Sequence, residues 1–150
     1  MNTPDRSHKV IGAGAGRSFS VMDSMMSYKV TAEDTGGAYS LAVEITPPRG
    51  GLPLHVHHRE DEAMYILEGE YEIQCGEQVF RATADTFVFL PKDIPNRYQN
   101  LGDTPGKFIH ITSPGGFEQL VERTSKICES GPPDMQQVKE AAGHYGVEFV

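Results

Sequence analysis

The chain is short of thiols, of basic clusters and of long apolar runs, and each shortage removes a class of protein. Cys75 and Cys128 are the only two cysteines in 150 residues. Two thiols make no disulfide framework and cannot close a Cys-rich zinc site, so both are read as reduced and structural. Nowhere do the roughly 18 consecutive apolar residues of a membrane helix occur. Met1-Asn2-Thr3-Pro4-Asp5 lacks the basic stretch and apolar run of a secretory leader. Lysine and arginine total 13 against 21 acidic residues, a net charge of −8 with histidines neutral. That field repels nucleic acid and anionic lipid, and no local cluster of Lys and Arg overrides it. The expectation is a cytoplasmic protein whose partner is a small molecule, with neither nucleic acid nor membrane involved. A small anion stays compatible through Arg49, Arg81, Lys92 or Arg97. The length fits one domain with a core of its own.

Residues 1–17 are polar and glycine-rich and read as a flexible segment. The spacing of Gly12 and Gly14 is no phosphate loop, because no strand, helix and lysine follow in the required order. Residues 18–113 carry the punctuation of an all-β domain: short runs of alternating polarity, broken by turn residues every ten or so positions. Tyr39, Leu41, Val43 and Ile45 alternate with Ser40, Ala42, Glu44 and Thr46, and the run stops at Pro47-Pro48-Arg49-Gly50-Gly51. Tyr71, Ile73 and Cys75 alternate with Glu72 and Gln74. Thr86 to Leu90 is apolar on both faces, the pattern of a strand buried on both sides. With the strands that follow, up to 107–113, the count fits a jelly-roll β-barrel. Residues 114–150 change period. Phe117, Leu120, Val121, Thr124 and Cys128 recur at helical spacing, as do Met135, Val138, Ala142 and Tyr145. Asp134 with Gln137 forms a capping box for the second helix. Two C-terminal helices packed on the outside of the barrel are expected, with residues 146–150 as a short final strand.

The chemistry concentrates between Gly50 and Gly69. Side chains alternate faces along a strand, so His55 and His57 point the same way, about 6–7 Å apart, and His58 points the other. The polar turn Arg59-Glu60-Asp61 returns the chain so that Glu62 opens the next strand. Two imidazoles and one carboxylate are the donor set of open facial sites in non-haem iron oxygenases. Iron, manganese, nickel, cobalt and zinc all accept it, and ligand type alone does not select among them. By parity, Met64 and Ile66 share the face of Glu62, and Tyr98 and Asn100 share that of Asn96. A pocket lined by Asn96, Tyr98, Met64, Ile66 and His110, with Arg97 or Arg81 at the rim, suits a small, partly apolar or aromatic substrate. His110 sits in the apolar run Phe108 to Thr112, where periodicity alone leaves its direction open.

His55, His57, Glu62 and Gly69 have the spacing of the first motif of the cupin superfamily, and over about residues 39–113 the chain resembles single-domain bacterial cupins of the quercetin-dioxygenase-like kind. Pro91, Pro95 and Asn100 fit the second motif. Ala84 and Asp93 stand where glycine is usual, and Asn96 stands where the third metal histidine is usual. The resemblance implies a divalent transition metal on His55, His57 and Glu62, a dioxygenase-like oxidoreductase activity and a homodimer joined through barrel edges or the apolar outer sheet. Glu62, His57 and Tyr98 are then the candidate catalytic residues. Replacement of an imidazole at position 96 weakens such a site. That keeps two alternatives open: an isomerase, cyclase or dehydratase working by acid–base chemistry, and a non-catalytic small-molecule binding domain.

Overall fold

A computed structural model describes residues 6–150, so the reading of Met1 to Asp5 as free of a leader falls outside the described residues. Among the described residues eleven strands and three helices follow one another, beginning with β1 (Arg17–Val21), β2 (Ser24–Val30), α1 (Ala32–Thr35), β3 (Ser40–Thr46), β4 (Gly51–His57), β5 (Asp61–Glu68) and β6 (Tyr71–Cys75). The chain continues with β7 (Gln78–Ala82), β8 (Phe87–Leu90), β9 (Asn96–Asn100), β10 (Gly106–Ser113), α2 (Phe117–Cys128), α3 (Met135–His144) and β11 (Val147–Phe149). Every strand pair is antiparallel. The six-stranded sheet runs β1-β2-β3-β10-β5-β8 and the five-stranded sheet β11-β4-β9-β6-β7. Together they make the expected jelly-roll barrel, with the two predicted helices at its C-terminal side.

One end of the barrel is a closed apolar core. Met64, Ile66, Tyr71, Ile73, Val88, Leu90 and Phe108 are buried there. Tyr71 and Phe108 meet edge to face with ring centres 5.4 Å apart, an arrangement favoured by their quadrupoles. Each fully buried side chain of this kind contributes about 1.5–3 kcal/mol. The other end stays polar inside, and it is there that the chemistry gathers.

Strand β3 turns its polar side inward. Ser40, Ala42, Glu44 and Thr46 are buried, while Leu41 and Val43 are half-buried and Ile45 is exposed. This is possible because the interior supplies partners: Ser40 donates to Glu118, the Tyr71 hydroxyl donates to Thr46, and the Tyr98 hydroxyl donates to Glu44. Strand β8 corrects an expectation. Val88 and Leu90 are buried, but Phe87 and Phe89 are 61% and 55% exposed. The strand lies at the edge of its sheet with no layer over its outer face.

Backbone conformation accounts for the glycine positions of the sequence pattern. Gly69 has φ 94°, and Asp93 and Asp85 hold φ 66° and 67°. Aspartate is among the few non-glycine residues that tolerate this left-handed region. The left-handed residue at the first of these turns is therefore Asp85, one position after the Ala84 at which the sequence pattern placed a glycine. The segment ahead of β1 is tied down in part, since the Lys29 ammonium donates to the carbonyls of Gly12 and Ala15. Asp134 caps α3 by accepting from the Gln136 N–H, not through a box with Gln137.

The C-terminal segment is more than an outer cover. Strand β11 pairs with β4, placing Val147 opposite His57 and Phe149 opposite His55. On its other edge β4 pairs with β9, and the tight spot is Gly51: a Cβ there would lie 2.1 Å from the Tyr98 carbonyl oxygen and 2.9 Å from Gln99 Cα. Both obstacles are backbone and cannot swing aside. Gly51→Ala is therefore expected to destabilise the fold by about 1–3 kcal/mol, read as a lower urea midpoint with an unchanged m-value.

Candidate metal centre

His55 and His57 project from β4, Glu62 from the start of β5, Asn96 from β9 and His110 from β10. All five are buried. The parity argument places the two histidines together, with ring centres 5.0 Å apart. The ligand atoms of His55, His57 and Glu62 all lie within 4.8 Å of one another. Metal–ligand bonds of about 2.0–2.2 Å require donor atoms about 3–4.4 Å apart, so a small contraction seats an ion. His58 faces outward, as alternation requires, and binds Asp93 and Glu148.

Each histidine has one ring nitrogen already committed. His55 Nδ1 donates to the Pro53 carbonyl at 2.9 Å, and His57 Nδ1 donates to Glu60 Oε1 at 2.5 Å. This leaves both Nε2 atoms uncommitted to backbone or to Glu60; His57 Nε2 lies 3.2 Å from Glu62 Oε1, close enough to hydrogen-bond the carboxylate, and any proton held there is released when an ion binds. Imidazoles whose Nδ1–H is anchored by a carboxylate or carbonyl are the form in which histidine serves as a metal ligand. Burial pushes the His55 pKa down, which also favours the neutral, coordinating form. The residues present therefore fit a divalent transition metal.

Glu62 is the electrostatic centre of the group. Burial opposes its ionisation, but His57, the hydrogen bond and charge of His110 and, least, His55 outweigh burial and hold its pKa at about 2. His110 Nε2 donates to Glu62 Oε2 at 2.7 Å. Burial works against the His110 charge, yet Glu62 and then Glu44 and Glu60 push its pKa up overall. Asn96 Nδ2 donates to Glu62 Oε1 at 3.1 Å. The residue standing at the usual third histidine thus orients the carboxylate, and His110 turns inward as the carboxylate's second donor.

The cavity above these groups is small, about 80 Å³ open to water-sized molecules. Its polar side carries Glu44, His55, His57, Glu62, Tyr98 and His110. Its apolar side comes from the C-terminal segment: Phe117, Leu120 and Val121 of α2, Val138 and Ala142 of α3, and Val147 and Phe149 of β11. The Phe117 ring centre is 5.0 Å from that of His57 and 5.8 Å from that of His110. The two helices therefore wall the cavity, where the sequence placed them merely on the outside.

Several pocket positions sort differently from their sequence reading. Tyr98 and His110 line the cavity. Met64 and Ile66 do not: they lie in the closed apolar core, because their positions along β5 are deeper than that of Glu62. Asn96 reaches Glu62 without lining the cavity. Arg97 and Arg81 face outward, paired with Glu72 and Glu70. Two residues that the sequence reading passed over matter here. Glu60, three positions after His57, was detectable as a carboxylate within reach of the histidine across a tight turn. Glu44 was visible as the acidic member of the β3 alternation, but nothing marked its face as the inner one.

Comparison with known proteins agrees with this fold. Residues 42–112 match the family model described as "Cupin domain". The alginate biosynthesis protein AlgA of Pseudomonas putida is 28% identical over 106 residues, covering 65% of this chain and 22% of that protein. The protein named polyketide synthase CurC of Streptomyces cyaneus is 31% identical over 85 residues, covering 57% of this chain and 54% of that protein. The chain thus spans about a fifth and about half of these relatives' lengths. Among solved structures, the polyketide cyclase RemF of Streptomyces resistomycificus superposes with a TM-score of 0.62 at 14% identity, over 71% of this chain and 80% of that one. At that identity the likeness is one of fold. No helix among the described residues is long and apolar enough to cross a membrane.

The hydrogen bond from His57 to Glu60 gives a direct test. Glu60→Gln is expected to lower divalent-metal affinity about 10-fold or more with the fold retained, and His57→Ala at least as much. Isothermal titration with manganese or zinc, alongside circular dichroism, measures both.

Proposed function

We propose, from the premise that residues 42–112 form a cupin domain, that this protein is a metal-dependent enzyme acting on a small, largely apolar molecule that carries a carbonyl or hydroxyl oxygen. The observation that carries the reading is the anchoring of His55 and His57 through Nδ1, which leaves two Nε2 atoms and one Glu62 oxygen directed at a common point. A divalent transition metal held there supplies a Lewis acid with open positions, the arrangement used by non-haem oxygenases. Dioxygenase-like oxidation of the bound molecule, with dioxygen as co-reactant, is the reaction class this donor set supports.

The chain's own residues do the rest. Asn96 and His110 fix the carboxylate plane of Glu62, so that its oxygen faces the two imidazoles without rotamer search. Phe117, Leu120 and Phe149 exclude water and favour an apolar or aromatic body on the substrate. Tyr98 offers its ring to that body. The cavity as folded admits little more than a few waters, so α2 and α3 must shift for entry of anything larger.

A second reading keeps the site but not the oxidation. The presence of Asn96 where a third imidazole is usual favours acid–base chemistry with the metal serving only to polarise an oxygen, and a protein of this fold, RemF, is described as a polyketide cyclase. The two readings part in one experiment. Protein loaded separately with iron, manganese, nickel, cobalt and zinc is given a panel of flavonols and dicarbonyls, with dioxygen followed by electrode and solvent deuterium by mass spectrometry. Metal-dependent oxygen uptake, abolished in His57→Ala, is the expected result. Deuterium incorporation without oxygen uptake selects the second reading, and a protein whose melting temperature responds to none of the five metals sinks both.

A further inference from the structure

Four carboxylates are buried among the described residues: Glu44, Glu60, Glu62 and Glu118. Three have donors that account for their charge. Glu60 and Glu62 hold histidines. Glu118 accepts from the N–H groups of Ala32 and Gly116 and from the Ser40 hydroxyl. Glu44 has fewer. No Lys, Arg or His lies within ion-pair distance of it among the described residues; the Tyr98 hydroxyl donates to Oε1, and the Ser24 hydroxyl adds a weaker contribution. A buried carboxylate with so little compensation is costly, and one that lines a cavity is a functional-site candidate on that ground.

Its placement is specific. Glu44 projects inward from β3 in one sheet and Tyr98 from β9 in the other, so the pair spans the barrel at the level of the cavity that both line. Neither a hydrogen bond nor an ion pair joins Glu44 to His55, His57 or Glu62. Resting on the reading of this site as an enzyme, we propose that Glu44 is its proton donor and acceptor. Tyr98 serves as the positioning residue, and the substrate class is a small molecule with an enolisable carbonyl. In the transfer, the Oε2–H bond of the neutral acid breaks and its proton bonds to the oxygen of a substrate enolate, giving the enol. Glu44 becomes a carboxylate whose negative charge is stabilised by the Tyr98 O–H. The reverse transfer restores the acid, and no electrons change hands.

The electrostatic surroundings support the neutral resting form. Burial pushes the Glu44 pKa up, against the opposing charge of His110 and the Tyr98 hydrogen bond. The titratable groups around it are Tyr28 from β2, Glu62 from β5, Tyr71 from β6, Tyr98 from β9 and His110 from β10, and of these only His110 forms a cation. A carboxyl raised in the folded state binds a proton that the unfolded chain has lost. Its cost to stability therefore appears as pH rises above the ordinary carboxylate range. Glu44→Gln removes that cost.

The test uses the full chain without added metal. Melting temperatures of wild type, Glu44→Gln and Tyr98→Phe are followed from pH 5 to pH 8, and binding of 2,4-pentanedione is titrated at pH 7. The expected result is a Glu44→Gln variant that gains on wild type as pH rises, by on the order of 5 °C, and binds the diketone at least 10-fold more weakly. Tyr98→Phe steepens the loss of wild-type stability with pH, because the carboxylate then loses its principal donor. An offset between Glu44→Gln and wild type that does not change with pH, failure of that variant to fold, or unchanged diketone affinity overturns the proposal. Metal titration of the same proteins separates the two claims. A wild type that takes up no metal defeats the metal-dependent reading while leaving the Glu44 result legible. Intact metal binding in Glu44→Gln with unchanged diketone affinity defeats this inference alone.

Discussion

One buried negative charge organises the polar end of this barrel. Glu62 sits where burial alone would neutralise it, and it stays ionised because His57, His110 and Asn96 converge on its two oxygens. These come from three strands, so the carboxylate ties β4, β9 and β10 to β5. Removing any one partner leaves a charge in a poor solvent, which is far more costly than the loss of the contact itself. The same arrangement that stabilises the charge presents it to a cation. Structural need and metal readiness are satisfied by one geometry.

The fold was largely legible in the sequence because alternation and turn punctuation act locally. Period-two polarity, the Pro-rich and Gly-rich breaks and the change to helical period after Ser113 locate the elements without reference to what they pack against. The site was legible for a related reason: two histidines two residues apart must share a face, and a single turn separates them from Glu62. What alternation cannot tell is which face is the inner one. Strand β3 turns Glu44 and its polar neighbours inward because Tyr71, Tyr98 and Glu118, remote in sequence, wait there as partners. The direction of His110 was settled in the same non-local way, by Glu62 across the β5–β10 ladder. Met64 and Ile66 show the converse limit. They share the face of Glu62 as expected but not its depth, and depth along a strand decides between core and cavity.

The exposure of Phe87 and Phe89 teaches that an apolar run reports two apolar faces, not two covered ones. In a single chain the outer face of β8 has no layer against it. Hydrophobic pattern and burial diverge wherever a sheet ends.

The ladder between β11 and β4 carries a consequence for the order of events as the chain is made. The strand bearing His55 and His57 has one edge occupied by β9, and the other is completed only by residues 147–149, some ninety positions downstream. Until that segment has emerged from the ribosome and docked, the ligand-bearing strand has open amides and carbonyls along one side, and its cavity lacks the wall formed by Val147 and Phe149. A chain interrupted before Val147 would keep the histidines and the glutamate yet hold them in a frayed and wetted strand. An ion-ready geometry at His55 and His57 therefore waits on residues 147–149, and loss of that segment is expected to disturb it before it disturbs the barrel.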